Sequence, residues 1–553
     1  MVNKNLFRTG SNTPAVPAAD TRNNAGGKAY KFDKKHCLAQ IAATNCFNGT
    51  FYASADSNLK LAKDAVEALK DDPEFIAKVA VYSRDKGYMK DMPAYLCAVL
   101  AGLDKKLFRK VFRKVIDNGK MLRNVIQIAR SGQAGKVYNM SSGTFRHALQ
   151  EWFDSRSPAS IFKASIGNDP SMRDILRMAR PAPRNQQGEY SADKAALFAY
   201  LLDAELKDGE FLVYKGKGSE RKVAYRHAFN NLPELVLQYE AYKKDKSLPV
   251  PNVDFRFLDH LVDDKGWATI AENAGWTMTR MNLNTFQRHN VFAADRMVRL
   301  IAARLQNKEE IVKAKAFPYQ LLMAYKAAEG VPALIVDALQ EAMEIATENA
   351  PVFQGQSYIA VDVSGSMGSP ITGHQPGGVS SKVRCVDVAS LFAATVLRKN
   401  RTAQVLPFDT RIHSVSDLNA RDSIMTNANK LARYGGGGTN CALALEHLNQ
   451  QNARGDAVVF ISDNESWVDS ARYSWGGGTG MLTAWAQFKK RNPRARLVCI
   501  DLIARDNSQV KAHEDILQVG GFSDQVFEVV NSFLEHGHSA DHWVSVIEGV
   551  SLD

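Results

Sequence analysis

The feature that most constrains this chain is a change of hydrophobic period near residue 350. Before it, segments such as DSNLKLAKDAVEALK, DPEFIAKVAVYSRDKGY, MPAYLCAVLAG, LDKKLFRKVFRKVI, FRHALQEWF and FPYQLLMAYKAAE repeat apolar residues at three- and four-residue spacing, the period of a helix buried on one face. After ATENAP, short β-rich runs (SYIAVDV, AQVLPF, DAVVFIS, RLVCIDLI) alternate with helical segments (VRCVDVASLFAATVLRK, CALALEHLNQQ, MLTAWAQFKKR). Serial short amphipathic helices cannot bury their stripes alone, so the first part predicts a stack of helices like a HEAT array, although no strict sequence period is present. Alternating strand and helix predicts a mostly parallel sheet covered on both faces, a doubly wound α/β domain. At 553 residues the chain also exceeds what one core holds. The expected division is a polar N-terminal arm at 1–28, an all-α module at 29–349 and an α/β domain at 350–553.

No run of about 18 to 20 apolar residues is present for a membrane span, and the opening MVNKNLFRTGSNTPAVPAAD lacks the apolar core of a signal peptide. Cys37, Cys46, Cys97, Cys385, Cys441 and Cys499 are scattered without a CxxC pair, which fits free thiols in a reducing cytosol better than zinc or disulfides. A soluble cytoplasmic protein is expected. Charge divides unevenly: residues 351–553 carry 18 Lys+Arg against 20 Asp+Glu, whereas residues 1–350 carry 52 against 39. The basic excess therefore lies wholly in the helical part, which points to a polyanionic partner, nucleic acid or an anionic surface.

In the second part, VDVSGSM follows a strand-like run and places Asp362, Ser364 and Ser366 at every second residue, where the chain turns off the sheet. Ligands of such sheets bind at the carboxyl ends of the strands. Two further elements reach the same edge: GGGGTN, which delivers the hydroxyl of Thr439, and Asp463, directly after DAVVFIS. Taken singly, these are a turn cluster, a flexible loop and a helix cap. Together they form an all-oxygen set with two carboxylates, suited to Mg²⁺, with Mn²⁺ also accommodated and water completing an octahedron. No second metal or placed general base accompanies it, and His374 and His413 read as surface histidines, so the site is expected to bind rather than to catalyse.

The helical part holds the matching polyanion candidate. In Leu103–Ile116, the residues Leu103, Leu107, Phe108, Val111, Phe112, Val115 and Ile116 form one stripe, and Lys105, Lys106, Arg109, Lys110, Arg113 and Lys114 crowd the remaining arc with only Asp104 nearby. Six like charges on one arc repel unless an anion relieves them; the alternative is a plain solvated face. Arg123, Arg130, Lys136, Arg146, His147, Lys163, Arg173, Arg177, Arg180 and Arg184 continue the series, interleaved with Tyr138, Phe145, Trp152 and Phe153. Such rings can stack on unpaired bases, yet Phe145, Trp152 and Phe153 also fall at core spacing.

Both parts carry resemblances. Asp362, Ser364, Ser366, Thr439 and Asp463 resemble the metal-ion-dependent adhesion site of von Willebrand factor A domains, in which a partner's acidic side chain typically completes the coordination. NNAGGKAY at 23–30, GTFY at 49–52, YSRDKGYMKDMPAYLCAVL at 82–100, FRHALQEWF at 145–153, DILRMARPAP at 174–183 and FPYQLLMAY at 317–325 resemble the TROVE module of the Ro autoantigen family, whose architecture pairs that module with a C-terminal A domain. The resemblance is to a bacterial or phage member. It implies a monomeric ring of HEAT-like helices closed by the A domain, binding small noncoding Y-like RNA on its outer basic surface and single-stranded ends of misfolded RNA through its hole. It also implies RNA quality control or processing alongside an exoribonuclease partner, without DNA or membrane. Where relatives have a histidine before proline this chain has Arg180 before Pro181, and an upstream family arginine is replaced near Gly167, whereas Lys163 remains. The competing reading is a metal-dependent interaction scaffold whose basic face meets an acidic protein or a membrane.

Overall fold

The computed structural model describes residues 16–48, 53–141, 143–203, 210–213, 223–226, 231–314, 316, 318–348, 350–371, 382–467, 477–523, 525–536, 539 and 541–553. GTFY, Phe317, His374 and the first half of the expected arm lie outside them. The chain enters through a short antiparallel ribbon, β1 (Thr21–Arg22) and β2 (Lys28–Lys31). Helices then follow one another from Lys34–Thr44 to Ala333–Ala346. Their ends obey local chemistry. Asp72, Asp104, Asn118 and Ser157 cap the helices that follow them through side-chain acceptors, and Gly132 ends the helix Gly119–Ser131 in the left-handed conformation. One departure from the helical expectation is a two-stranded ribbon, β3 (Glu210–Val213) with β4 (Val223–Arg226), where aromatic and β-branched residues cluster.

The second part contains β5 (Ser357–Asp362), β6 (Gln404–Phe408), β7 (Ala457–Ser462) and β8 (Arg496–Asp501), as the sequence pattern predicts. Two more strands, β9 (Asn507–Ser508) and β10 (Ile516–Gly520), were not evident from that pattern. β10-β8-β7-β5-β6 form one sheet, parallel throughout. Each strand alternates between two cores. Ile359, Val361, Val459, Ile461, Val498 and Ile500 face an apolar mass continuous with the helical module, and Tyr358, Ala360, Val458, Phe460, Leu497 and Cys499 face a separate cluster with Trp485 and Phe488. Burial on both faces is why these strands read as unbroken apolar runs.

The two parts are packed together. β2 pairs antiparallel with β9, so the entry ribbon is part of the α/β side of the molecule. Trp543, 1 % exposed, donates from Nε1 to the Tyr82 hydroxyl at 3.0 Å and meets the ring of His36 edge-on. At the other end of the helical module, Glu344 bonds the amide of Ile424 at 2.8 Å and Arg398 at 3.1 Å, and Lys326 reaches Asp387 at 3.2 Å. Both ends of the helical run are thus tied to the α/β unit. A cavity of about 610 Å³ lies between them, lined by Tyr88, Lys90, Arg280, Tyr319 and Met323 with Phe522 from the α/β unit.

Candidate metal centre and nucleic-acid face

β5 and β7 are neighbours in parallel register, Val361 opposite Ile461, so the residues leaving their carboxyl ends emerge side by side. This brings Asp362 and Asp463 together, both fully buried. After Val363 the chain makes one helical turn at Gly365–Gly368, which returns Ser366 toward Ser364; their hydroxyls stand 3.2 Å apart, each residue 3 % exposed. Asp362 accepts from the Ser364 amide at 2.9 Å and the Ser462 hydroxyl at 2.6 Å. The glycine loop lies directly on this turn. Gly365 donates to Gly437 O at 2.8 Å, and Gly435 has φ 136°, where an added Cβ would stand 2.5 Å from Val363 O. No other residue type allows that approach. Thr439, 1 % exposed, lies two residues beyond Gly437 on the same loop.

The two carboxyls share a buried environment. Burial, then repulsion from Asp463, pushes the Asp362 carboxyl up to about 7. Burial likewise raises Asp463, with Arg505 and the Ser366 hydroxyl opposing the shift. Asp463 Oδ2 is buried with no hydrogen-bond donor among the described residues. Two close buried carboxylates, three hydroxyls and an unsatisfied oxygen fit a hard divalent cation. Among the described residues there is no group of three or more His, Cys, Asp or Glu side chains at one metal-sized site.

Behind these residues lies a layer that sequence reasoning missed. Glu465 and Arg505, at most 2 % exposed, form an ion pair of 2.5 Å. Asp501, at the end of β8, is pushed up to about 8 by burial despite Arg505. Asp409, just after β6, packs against Gly437 and accepts from the Arg411 amide at 2.9 Å. Both aspartates obey the strand-end rule that found Asp463, which was the available signal. The expectation for His413 is corrected: its side chain is only 10 % exposed and stands 3.0 Å from Asp409 Oδ2, because the chain folds back after β6 and His413 N bonds Pro407 O at 2.8 Å.

On the helical module, Phe108, Val111, Phe112 and Val115 are buried as the stripe requires, each worth roughly 1.5–3 kcal/mol of burial. The basic arc is less uniform than its spacing implies. Lys105, Lys106 and Arg109 are exposed, with no ion pair or hydrogen bond from their side chains among the described residues. Lys110 meets Asp553 at 2.6 Å, Lys114 reaches the Asp553 and Ser551 carbonyls, and Arg113 pairs with Glu151 at 3.0 Å. Asp104 is therefore not the only offset; the chain's last residues and a neighbouring helix supply others.

Of the remaining cations, Arg130, Lys136, His147, Lys163, Arg177, Arg180 and Arg184 are exposed, and Arg173 pairs with Asp203 at 3.0 Å. Arg123 has a structural role: it donates to Ala164 O at 3.2 Å and to Ile166 O, and packs on Gly167. Arg146 reaches Ala179 O at 3.4 Å. Arg180 closes the helix Met172–Ala179 in the left-handed conformation, φ 47°, because Pro181 disfavours continuing it. Phe145, Trp152 and Phe153 are buried, which settles their role as core, while Tyr138 is half-buried beneath Lys136 Nζ at 5.1 Å.

A TROVE-type helical module joined to an A domain defines the class. Residues 356–534 match the family model described as the Ro60 vWA domain, and residues 256–370 match the TROVE domain. The chain is 24 % identical over 563 residues to the RNA-binding protein RO60 of Deinococcus radiodurans, covering 96 % of this chain and 99 % of that protein. It is 25 % identical over 478 residues to the RNA-binding protein RO60 of Caenorhabditis elegans, covering 74 % and 68 %. The crystal structure of the Deinococcus radiodurans RO (RSR) protein shares the fold, with TM-score 0.59 and 20 % identity over 91 % of this chain and 99 % of that one. The chain belongs to the Ro family.

Proposed function

We propose that this protein binds RNA through its helical module and acts as a ribonucleoprotein component rather than as an enzyme. The observation that carries the reading is the exposed series on successive helices, Lys105, Lys106, Arg109, Arg130, Lys163, Arg177 and Arg180, on the part of the chain that holds the whole basic excess. Relatives named as RNA-binding proteins support it. The ligands are small noncoding Y-like RNA on the outer cations and single-stranded ends of structured or misfolded RNA, in cytoplasmic RNA quality control or processing with an exoribonuclease partner. The working form is a monomeric ring.

The A-domain site is the second binding surface of the same protein. Asp362, Ser364, Ser366, Thr439 and Asp463 would hold Mg²⁺ or Mn²⁺, and the bound cation would supply an open position for an acidic side chain. Trp467, 46 % exposed, follows Asp463 by four residues and offers that partner an apolar contact. Among the described residues no helix is long and apolar enough to cross a membrane. The test is binding of a hairpin RNA with a single-stranded tail, compared with the same hairpin blunt-ended and with polyglutamate of equal charge. Preference for the tailed RNA at physiological salt supports the proposal; equal affinity for polyglutamate overturns it in favour of an acidic-protein scaffold.

A further inference from the structure

The loop after β7, which carries Asp463, is held from outside by the beginning of the chain. Asn23, 5 % exposed, donates from Nδ2 to Ser466 O at 2.6 Å, while its Oδ1 accepts the Gly27 amide at 2.7 Å and its carbonyl accepts the Gly26 amide at 3.0 Å. One side chain therefore both shapes the Asn23–Gly27 turn and fastens it to the loop. Ala25 N donates to Glu465 Oε2 at 2.9 Å, using the carboxylate whose other oxygen pairs with Arg505. Gly27 is pressed so closely that a Cβ would stand 1.9 Å from Ser466 O and 3.0 Å from the Trp467 Cα.

The same loop residues reach the second ligand-bearing loop. Ser466 Oγ accepts the Cys441 amide at 2.9 Å, and Trp467 N donates to Thr439 O at 3.2 Å. Glu465–Trp467 is thus a bridge with Asp463 before it, Thr439 bonded to it and the entry turn clamped on its outer side. The turn is itself anchored, since β2 continues from it into pairing with β9 and Tyr30 accepts the Thr479 amide at 3.4 Å.

We propose that the Asn23–Gly27 turn is a positioning element of the metal centre, so that cation binding and docking of the N-terminal segment favour each other. The inference rests on the metal site proposed above. No residue of the turn is assigned as a ligand; the turn acts by fixing Asp463 and Thr439 where one cation can reach both. Loop residues without that support would sample other positions, and affinity would fall by the fraction of time the site is incomplete. Linkage requires the effect to be reciprocal: the cation must hold the turn as firmly as the turn holds the cation site.

The experiment titrates Mn²⁺ into the full chain by calorimetry and follows hydrogen exchange of residues 20–31 with and without Mn²⁺. Asn23→Ala is expected to weaken Mn²⁺ binding by about tenfold, within the usual range for coupled sites, and Gly27→Ala by at least as much, with the fold confirmed by circular dichroism. Mn²⁺ is expected to slow exchange at residues 20–31 in the parent and to leave it unchanged in Asp463→Ala, a response that a merely structural turn would not give. Parent-like affinity in a folded Asn23→Ala protein, or exchange at 20–31 indifferent to Mn²⁺ in a parent that binds it, overturns the inference while leaving the metal site standing. A parent that binds no Mn²⁺ overturns the metal site and the inference together.

Discussion

The metal edge and the basic helix are both polar surfaces built on apolar scaffolds, yet their residues are constrained in opposite ways. At the proposed metal edge, parallel register forces Asp362 and Asp463 to leave the sheet as neighbours, and all five residues proposed as ligands are buried. On the helix Lys105–Val115 the apolar stripe dictates only which side is wet, and the cations there meet whatever the rest of the chain brings. Half of the arc meets partners, Asp553, Ser551 and Glu151, that are 38 to 443 residues distant. A buried site at strand ends is fixed by the backbone, whereas a solvated charged face is fixed by its partners.

The largest expected effect breaks this contrast at the metal edge. Replacing Asp463 or Asp362 by Ala removes one of two carboxylates facing the cation and is expected to abolish Mg²⁺ and Mn²⁺ binding by calorimetry, with RNA affinity nearly unchanged. A parallel collapse of RNA binding in the folded variant would show that the two regions work as one site.

The next effect concerns the junction that joins the regions. His36 is 3 % exposed, stacked on Phe32 at 4.5 Å, and burial pushes its imidazole down to about 4 from 6.5, with Asp33 opposing. Because the folded value lies below the unfolded one, this stability is present above pH 6.5 and is lost as the pH falls through 4. Its size is about 3 kcal/mol. Urea unfolding of His36→Leu should show that much less acid sensitivity than the parent over this window. Equal acid sensitivity would mean that His36 is not buried neutral between the two parts.

A smaller effect sharpens the comparison on the helix. Asp553→Asn weakens the contact with Lys110, half-exposed on one side and 90 % exposed on the other. Exposed pairs of this kind are weak, so RNA affinity should rise only about twofold, and mainly at low salt. A larger rise would make the chain's last residues a strong competitor for the RNA face, and a fall would place Asp553 among its supports.

Legibility in the sequence follows the same physics. The switch from helix to alternating strand and helix was readable because burial imposes periods on residues such as Phe108–Phe112 and Ile359–Val361, and the convergence of Asp362 and Asp463 because strand ends carry position. The short β9 was not, since Asn507 and Ser508 have no apolar pattern and are a strand only through pairing with Tyr30 and Lys31. Nor was the clamp on Asp463 visible: Asn23 and Ser466 are 443 residues apart, and a buried asparagine in a glycine turn looks like any surface turn. The resemblance of NNAGGKAY to the TROVE module marked that stretch without revealing that it serves the A domain. Arg123 and Arg146, read as RNA cations by charge, also donate to backbone carbonyls, contacts that spacing alone does not disclose.

The central claim, that the exposed cations of the helical module carry the RNA, is tested most directly by one salt titration. Lys105, Lys106 and Arg109, whose side chains have no protein partners among the described residues, are replaced together by glutamate, a good helix former that leaves the apolar stripe intact. Each lost contact to a single strand changes the slope of log K against log salt by about 0.7, so the triple variant should flatten it by about two units and weaken binding across RNA sequences. A slope equal to the parent's, in a protein with unchanged circular dichroism, would contradict the account and leave this arc as a solvated face.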